Sequence, residues 1–159
     1  MWEETATPTF DILLRLGAAA VAGMILGIDR EARGKPAGLR THILIAVGAA
    51  ATTLVGFELY RTAIEISGQS RSDLLRIIEG VIAAVGFLAA GVIINGRGEV
   101  HNMTSAANIW ICGAIGIACG GGYFTIAGIT LALAILVLTG LYAVERMLGR
   151  KNGSATKDG

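Results

Sequence analysis

Five long apolar runs alternate with short polar or glycine-rich stretches along the chain, and their lengths predict membrane-spanning helices. The first, Phe10 to Ile28, holds 19 mostly apolar residues, enough for roughly 28 Å of helix. Leu39 to Tyr60 is the second and Leu75 to Ile94 the third; a shorter fourth ends near Cys119, and Tyr123 to Val144 is the fifth. The predicted fold class is an all-α membrane protein with five transmembrane helices. Residues 1–9 form a polar N-terminal segment, 10–145 the transmembrane domain, and 146–159 a basic tail expected to be disordered. Glu3 and Glu4 precede the first run without any Lys or Arg, the reverse of a signal peptide's charge order, so that helix is expected to be retained.

The connectors carry the polar residues. Between the first two runs lies Gly34-Lys35-Pro36-Ala37-Gly38-Leu39-Arg40-Thr41-His42, a basic stretch whose proline and glycines specify a particular loop shape. Arg61 to Asp73 is a polar link, Asn95-Gly96-Arg97-Gly98 has turn chemistry, and Gly120-Gly121-Gly122 is a tight turn. With five crossings the termini lie on opposite sides. One side then holds Arg30, Arg33, Lys35, Arg40, Arg97, Arg146, Arg150, Lys151 and Lys157, and the other only Arg61, Arg71 and Arg76. The positive-inside rule predicts the N-terminus outside and the C-terminus cytoplasmic, so the two most polar connectors meet at the cytoplasmic face.

Composition narrows the class further. The hydrophobic fraction of 53%, mean hydropathy of +0.65 and charged fraction of 16% exclude an ordinary soluble domain, which needs more surface charge. Cys112 and Cys119 stand seven residues apart in one run, roughly 10 Å along a helix, which is too far for a disulfide. No zinc spacing, phosphate loop or Ser/His/Asp set on a soluble scaffold is present, so no enzyme is predicted. The basic residues border the membrane without forming a soluble basic face, so no nucleic-acid partner is expected.

Several residues invite both a structural and a functional reading. Asp11 and Arg15, one turn apart, are expected to pair. Glu79 either pairs with Arg76 or joins Asp73 as a metal site holding a hydrated Mg2+ through one or two carboxylates. A cytoplasmic polar site or docking loop is predicted from Asp29, Arg30, Glu31, Arg33, Lys35, Arg40, Thr41 and His42, joined by Thr104 and Asn108 of the second polar connector. Its alternatives are a topogenic anchor, with an Asp29–Arg33 pair, or a surface for another membrane complex or a lipid head group. His42 and His101 fall at membrane edges, where a solvated histidine is ordinary. Close helix packing is predicted at Gly23, Gly27, Gly86, Ala90, Gly116 and Gly120. On the fourth run Asn108, Cys112, Ile115 and Cys119 share the packing face, and a homodimer through a glycine-rich face is expected.

The connector, with Asp29-Arg30-Glu31 before it, resembles the acidic-Arg-Glu and Gly-Lys-Pro-Ala-Gly-Leu-Arg-Thr-His signature of the MgtC/SapB membrane proteins. Gly86-Phe87-Leu88-Ala89-Ala90-Gly91 is similar to that family's Gly-Phe-Leu-Gly-Ala-Gly block. Asn102 to Trp110 resembles its Gly-Leu-Thr-Thr-Ala-Ala-Ser-Leu-Trp block. The departures are Ala89 and Asn102 for glycines, Ser105 for threonine, and the charge of Glu79. The resemblance spans roughly residues 10–145. It implies a multi-pass bacterial inner-membrane protein linked to low-magnesium growth and virulence, reading here as the transmembrane part without the family's soluble C-terminal domain. It also implies two molecular accounts: Mg2+ transport or a transport-associated role, and binding and inhibition of a membrane ATPase, the F-type ATP synthase. A lipid-binding structural bundle is a further alternative. No cofactor is expected beyond Mg2+, and the partners implied are the lipid bilayer, a second copy and a membrane ATPase.

Overall fold

The computed structural model describes residues 5–67, 74–93 and 102–152, and for 67, 74 and 141–152 the backbone path alone. Asp73, the Asn95–Gly98 turn and His101 lie outside the described residues. The described chain forms five helices: α1 (Thr9–Ala32), α2 (Leu39–Ser67), α3 (Leu74–Ile93), α4 (Met103–Gly120) and α5 (Phe124–Asn152). Thr9–Ala32, Leu39–Ile66, Leu75–Ile93 and Met103–Gly120 are each long and apolar enough to cross a membrane, and the described apolar part of α5 is Phe124–Gly140. Outward-facing Phe10, Leu44, Phe87 and Leu136 are each more than 60% exposed, the surface that lipid covers and water would penalise.

Helix ends follow local chemistry. Past α1, Gly34 adopts φ 59°; its N–H donates to Glu31 O at 3.0 Å and the Lys35 N–H to Arg30 O at 3.0 Å. Past α4, Gly122 at φ 80° repeats the motif, with Gly122 N–H to Cys119 O at 2.9 Å and Tyr123 N–H to Ala118 O at 2.8 Å. Both are Schellman terminations, which need a left-handed residue and so favour glycine. Three boundaries differ from the sequence expectation. α1 runs a turn beyond Ile28, α2 continues through Arg61 to Ser67, and α5 reaches Asn152, into the stretch expected to be a tail. Nothing in Arg61–Ser67 breaks a helix, so polarity alone does not end α2.

α4 is the central element: 56% of its span is buried, against 17–33% of the other three. Two clusters meet on it. Ala19, Ala22 and Leu26 of α1 pack with Ala46 and Ala50 of α2, Cys112 and Ile115 of α4, and Ala127 of α5. On the other side, Val81, Val85 and Ala89 of α3 pack with Ala49, Ala106 and Ile109. Glycines set the closeness. A Cβ on Gly23 would stand 2.6 Å from the His42 carbonyl oxygen, and one on Gly27 2.6 Å from the Leu39 Cα. Gly116 and Gly120 lie as tightly on the carbonyl oxygens of Ala46 and Ala50. Gly86 and Ala90 take no part in packing within this chain: a Cβ on Gly86 meets nothing within 4 Å, and Ala90 is exposed. The side of α3 that seats on α4 is lined by Val81, Val85 and Ala89, which leaves Gly86 and Ala90 off the contact.

Candidate functional site

The end of the bundle where α1 finishes, α2 begins and α4 begins gathers most of the buried polar side chains. On α1 the buried stripe Ala19, Ala22, Gly23, Leu26, Gly27 ends on Arg30, which the same periodicity carries inward. Arg30 is 4% exposed. Its Nη2 donates to the Ser105 hydroxyl in the first turn of α4, and its Nε is buried without a partner. Asp29 Oδ1 accepts from Arg33 Nε and Nη2, each at 2.8 Å, while its Oδ2 is buried and unpartnered. Among the described residues this is the one ion pair within 4 Å.

Glu31 turns to the start of α2: its Oε2 accepts the Leu39 N–H at 2.7 Å. That contact supplies an acceptor to one of the free N–H groups of the helix and places negative charge at its positive end. Gly38 leaves room for this contact, since a Cβ there would meet Glu31 Oε2 at 2.7 Å and displace the carboxylate. Ala37, in the turn after Pro36, sits at φ 60°, a left-handed backbone uncommon for a residue with a side chain.

His42 is fully buried, a correction to the solvated edge residue expected from sequence. One turn of α2 places its ring against α4 rather than in the head-group region. His42 Nδ1 lies 2.9 Å from the Gly38 carbonyl, which can only accept, so the proton is on Nδ1. His42 Nε2 then accepts from Asn108 Nδ2 at 2.9 Å. One turn along α4, Cys112 Sγ donates to the His42 carbonyl at 3.2 Å. Asn108 and Cys112 thus grip one residue of α2 by its side chain and its backbone.

Of the predicted constellation, the structure brings Asp29, Arg30, Glu31, Arg33, His42 and Asn108 to this end. Lys35, Arg40, Thr41 and Thr104 are exposed around it. Ser105 takes the place expected for Thr104. Spacing alone does not choose between them, because Thr104 stands four residues and Ser105 three residues before Asn108 and both border the face of Asn108, Cys112, Ile115 and Cys119. The cysteines are free and buried.

The opposite end carries two contacts that sequence spacing did not find. Arg15 does not pair with Asp11; its Nη1 donates to Gly120 O at 3.0 Å, placing a cation at the C-terminus of α4. Glu58 of α2 accepts from the backbone N–H groups of Ala6 at 2.8 Å and Thr7 at 2.9 Å, and from the Thr7 hydroxyl. Glu79 is exposed and forms no ion pair with Arg76. Both side chains are exposed. Among the described residues no three His, Cys, Asp or Glu converge as a metal site.

Comparison with known proteins places the chain among named relatives. The chain is similar to the protein SapB of Bacillus subtilis (strain 168), 35% identical over 147 residues, covering 87% of this chain and 60% of SapB. It is 33% identical over 144 residues to YhiD of Escherichia coli (strain K12), provisionally named a magnesium transporter, covering 91% of this chain and 66% of that one. To the protein MgtC of Brucella abortus (strain 2308) it is 34% identical over 122 residues, covering 77% and 48%. The chain therefore spans less than two thirds of the length of these relatives. No solved structure matches it. Residues 16–147, which include every residue at the polar end, match the MgtC family, and this chain belongs to that family.

Proposed function

We propose that this chain supports magnesium homeostasis in a bacterial inner membrane as a transport-associated protein, working from its polar end rather than as a conduit through one bundle. Family membership and the provisional name of the Escherichia coli relative support the magnesium side. The observation that carries the second half is the closed mid-section. Inward from His42, Ala46, Ala49 and Ala50 of α2 face Cys112, Ile115 and Gly116 of α4 at near backbone contact. The next buried polar side chain on α2 is Thr53, whose hydroxyl donates to Ala49 O of its own helix at 2.8 Å, a single neutral oxygen in an otherwise apolar stretch. A hydrated Mg2+ is reluctant to shed its water, so a path this narrow and apolar is unsuited to it.

In cells lacking their own MgtC-family protein, expression of this chain should restore growth at limiting magnesium, and Arg30→Met or Asn108→Leu at normal expression should abolish that rescue. Proteoliposomes of the purified chain should show dye-reported Mg2+ entry no faster than protein-free vesicles. Saturable entry that Glu79→Gln weakens would overturn the reading in favour of transport by the chain itself. A second reading, docking on a membrane ATPase, draws on exposed Lys35 and Arg40 flanking a connector whose shape Gly34, Pro36 and Ala37 fix. Co-purification of that complex, lost on Lys35→Ala or Arg40→Ala, is its test.

A further inference from the structure

α3 sits on α4 and leaves a groove of about 530 Å3 between itself and α2, walled by Leu44, Gly48 and Thr52 on one side and Gly80, Ala84 and Leu88 on the other. The two glycines are unlike those of the core. A Cβ on Gly48 or on Gly80 would meet nothing within 4 Å, so no neighbouring helix requires them, and they keep the groove wide. The Thr52 hydroxyl donates to Gly48 O at 2.9 Å, so the wall presents no free donor. At roughly 30 Å3 per water-sized group, the volume holds about eighteen such groups, the scale of one long acyl chain.

A cation, Arg40, lies one helical turn before Leu44, the first wall residue on α2. Arg40, Leu44, Gly48 and Thr52 follow one another at four-residue intervals, so exposed Arg40 stands on the groove's own line at the start of α2. An apolar slot with a guanidinium one turn beyond its wall fits an amphiphile with an anionic head. A second copy fits poorly: a twofold axis along the membrane normal would bring the two Arg40 side chains to the same depth on facing edges, where like charges repel. We infer that the α2–α3 groove is a binding site for an anionic phospholipid, with one acyl chain lying along Gly48 and Gly80 and the phosphate held by Arg40.

The full chain, purified in detergent and incubated with mixed phosphatidylglycerol and phosphatidylcholine, is read by native mass spectrometry for retained lipid. Phosphatidylglycerol is retained in preference. Arg40→Gln reduces that preference about fivefold, the equivalent of roughly 1 kcal/mol for one cation at a lipid surface. Gly48→Leu fills the groove and removes the retained lipid, while circular dichroism and the melting temperature stay those of the parent; Gly80→Leu is the replacement should that variant misfold. Arg76→Gln, at the other end of α3, changes neither. Equal retention of the two lipids by the parent chain, or undiminished retention by both filled variants, overturns the inference. So does a disulfide-linked dimer formed in high yield by Gly48→Cys without bound lipid, which would give the groove to a second copy.

Discussion

Arg30 is held in a way that makes its neighbour Ser105 costly to lose. A guanidinium 4% exposed, with Nε already unpartnered, depends on the few hydrogen bonds that remain. Ser105→Ala removes the acceptor of Nη2, and hydrogen bonds to charged groups are worth about 1.5–3 kcal/mol. That loss should appear as a lower midpoint of unfolding in mild detergent. Thr104→Ala, one residue away and exposed, should shift it by no more than about 0.5 kcal/mol. Ala37 offers the opposite sign. Its left-handed backbone carries a penalty of about 1–2 kcal/mol for a residue with a Cβ, partly offset in a glycine variant by greater freedom of the unfolded chain. Ala37→Gly should therefore raise the same midpoint by the equivalent of about 0.5–1 kcal/mol.

Among elements, the glycines divide by what they face. Gly116→Ala drives a methyl group into the Ala46 carbonyl, backbone that cannot step aside, and should cost about 1–3 kcal/mol and separate α4 from α2. Gly86→Ala meets open space and should leave stability unchanged or raise it by up to about 1 kcal/mol through helix propensity. The five helices and the core glycines of α1 and α4 were legible in the sequence because apolar length and four-residue repeats are local properties. The Asp29–Arg33 pair was legible for the same reason. Asp11 with Arg15 and Arg76 with Glu79 have the same kind of spacing and do not pair. Proximity along a helix permits a contact, and the competing partner of Arg15 is a carbonyl 105 residues away. Glu58 escaped notice likewise, since its partners are backbone N–H groups 51 and 52 residues distant, which no side-chain pattern records. At the polar end the sequence marked the right blocks but not which members turn inward. His42 is settled by the face of α2 that packs on α4, and Ser105 by the face of α4 that meets Arg30 of α1, both tertiary facts.

For the whole molecule, two carboxylates clasp the α1–α2 hairpin at opposite ends, Glu31 on the start of α2 and Glu58 on the segment before α1. Because those contacts hold each helix against the start of the other, the hairpin is expected to cross the membrane as one unit, which makes its orientation a single choice. Arg33, Lys35 and Arg40 are at its turn, with Arg30 just inside, while Arg15 and Arg61 are at its open end. The cost of carrying the more basic end across predicts that the turn stays cytoplasmic. The two native thiols, Cys112 and Cys119, are 0% and 2% exposed, so an impermeant maleimide finds a silent background in the parent chain. In intact cells Thr5→Cys should then label at once, and Lys35→Cys only after the membrane is permeabilised. The reverse pattern would put the polar end outside. Arg30, His42 and Asn108 would then face the periplasm, and any role for them in a cytoplasmic magnesium response would fall with the orientation.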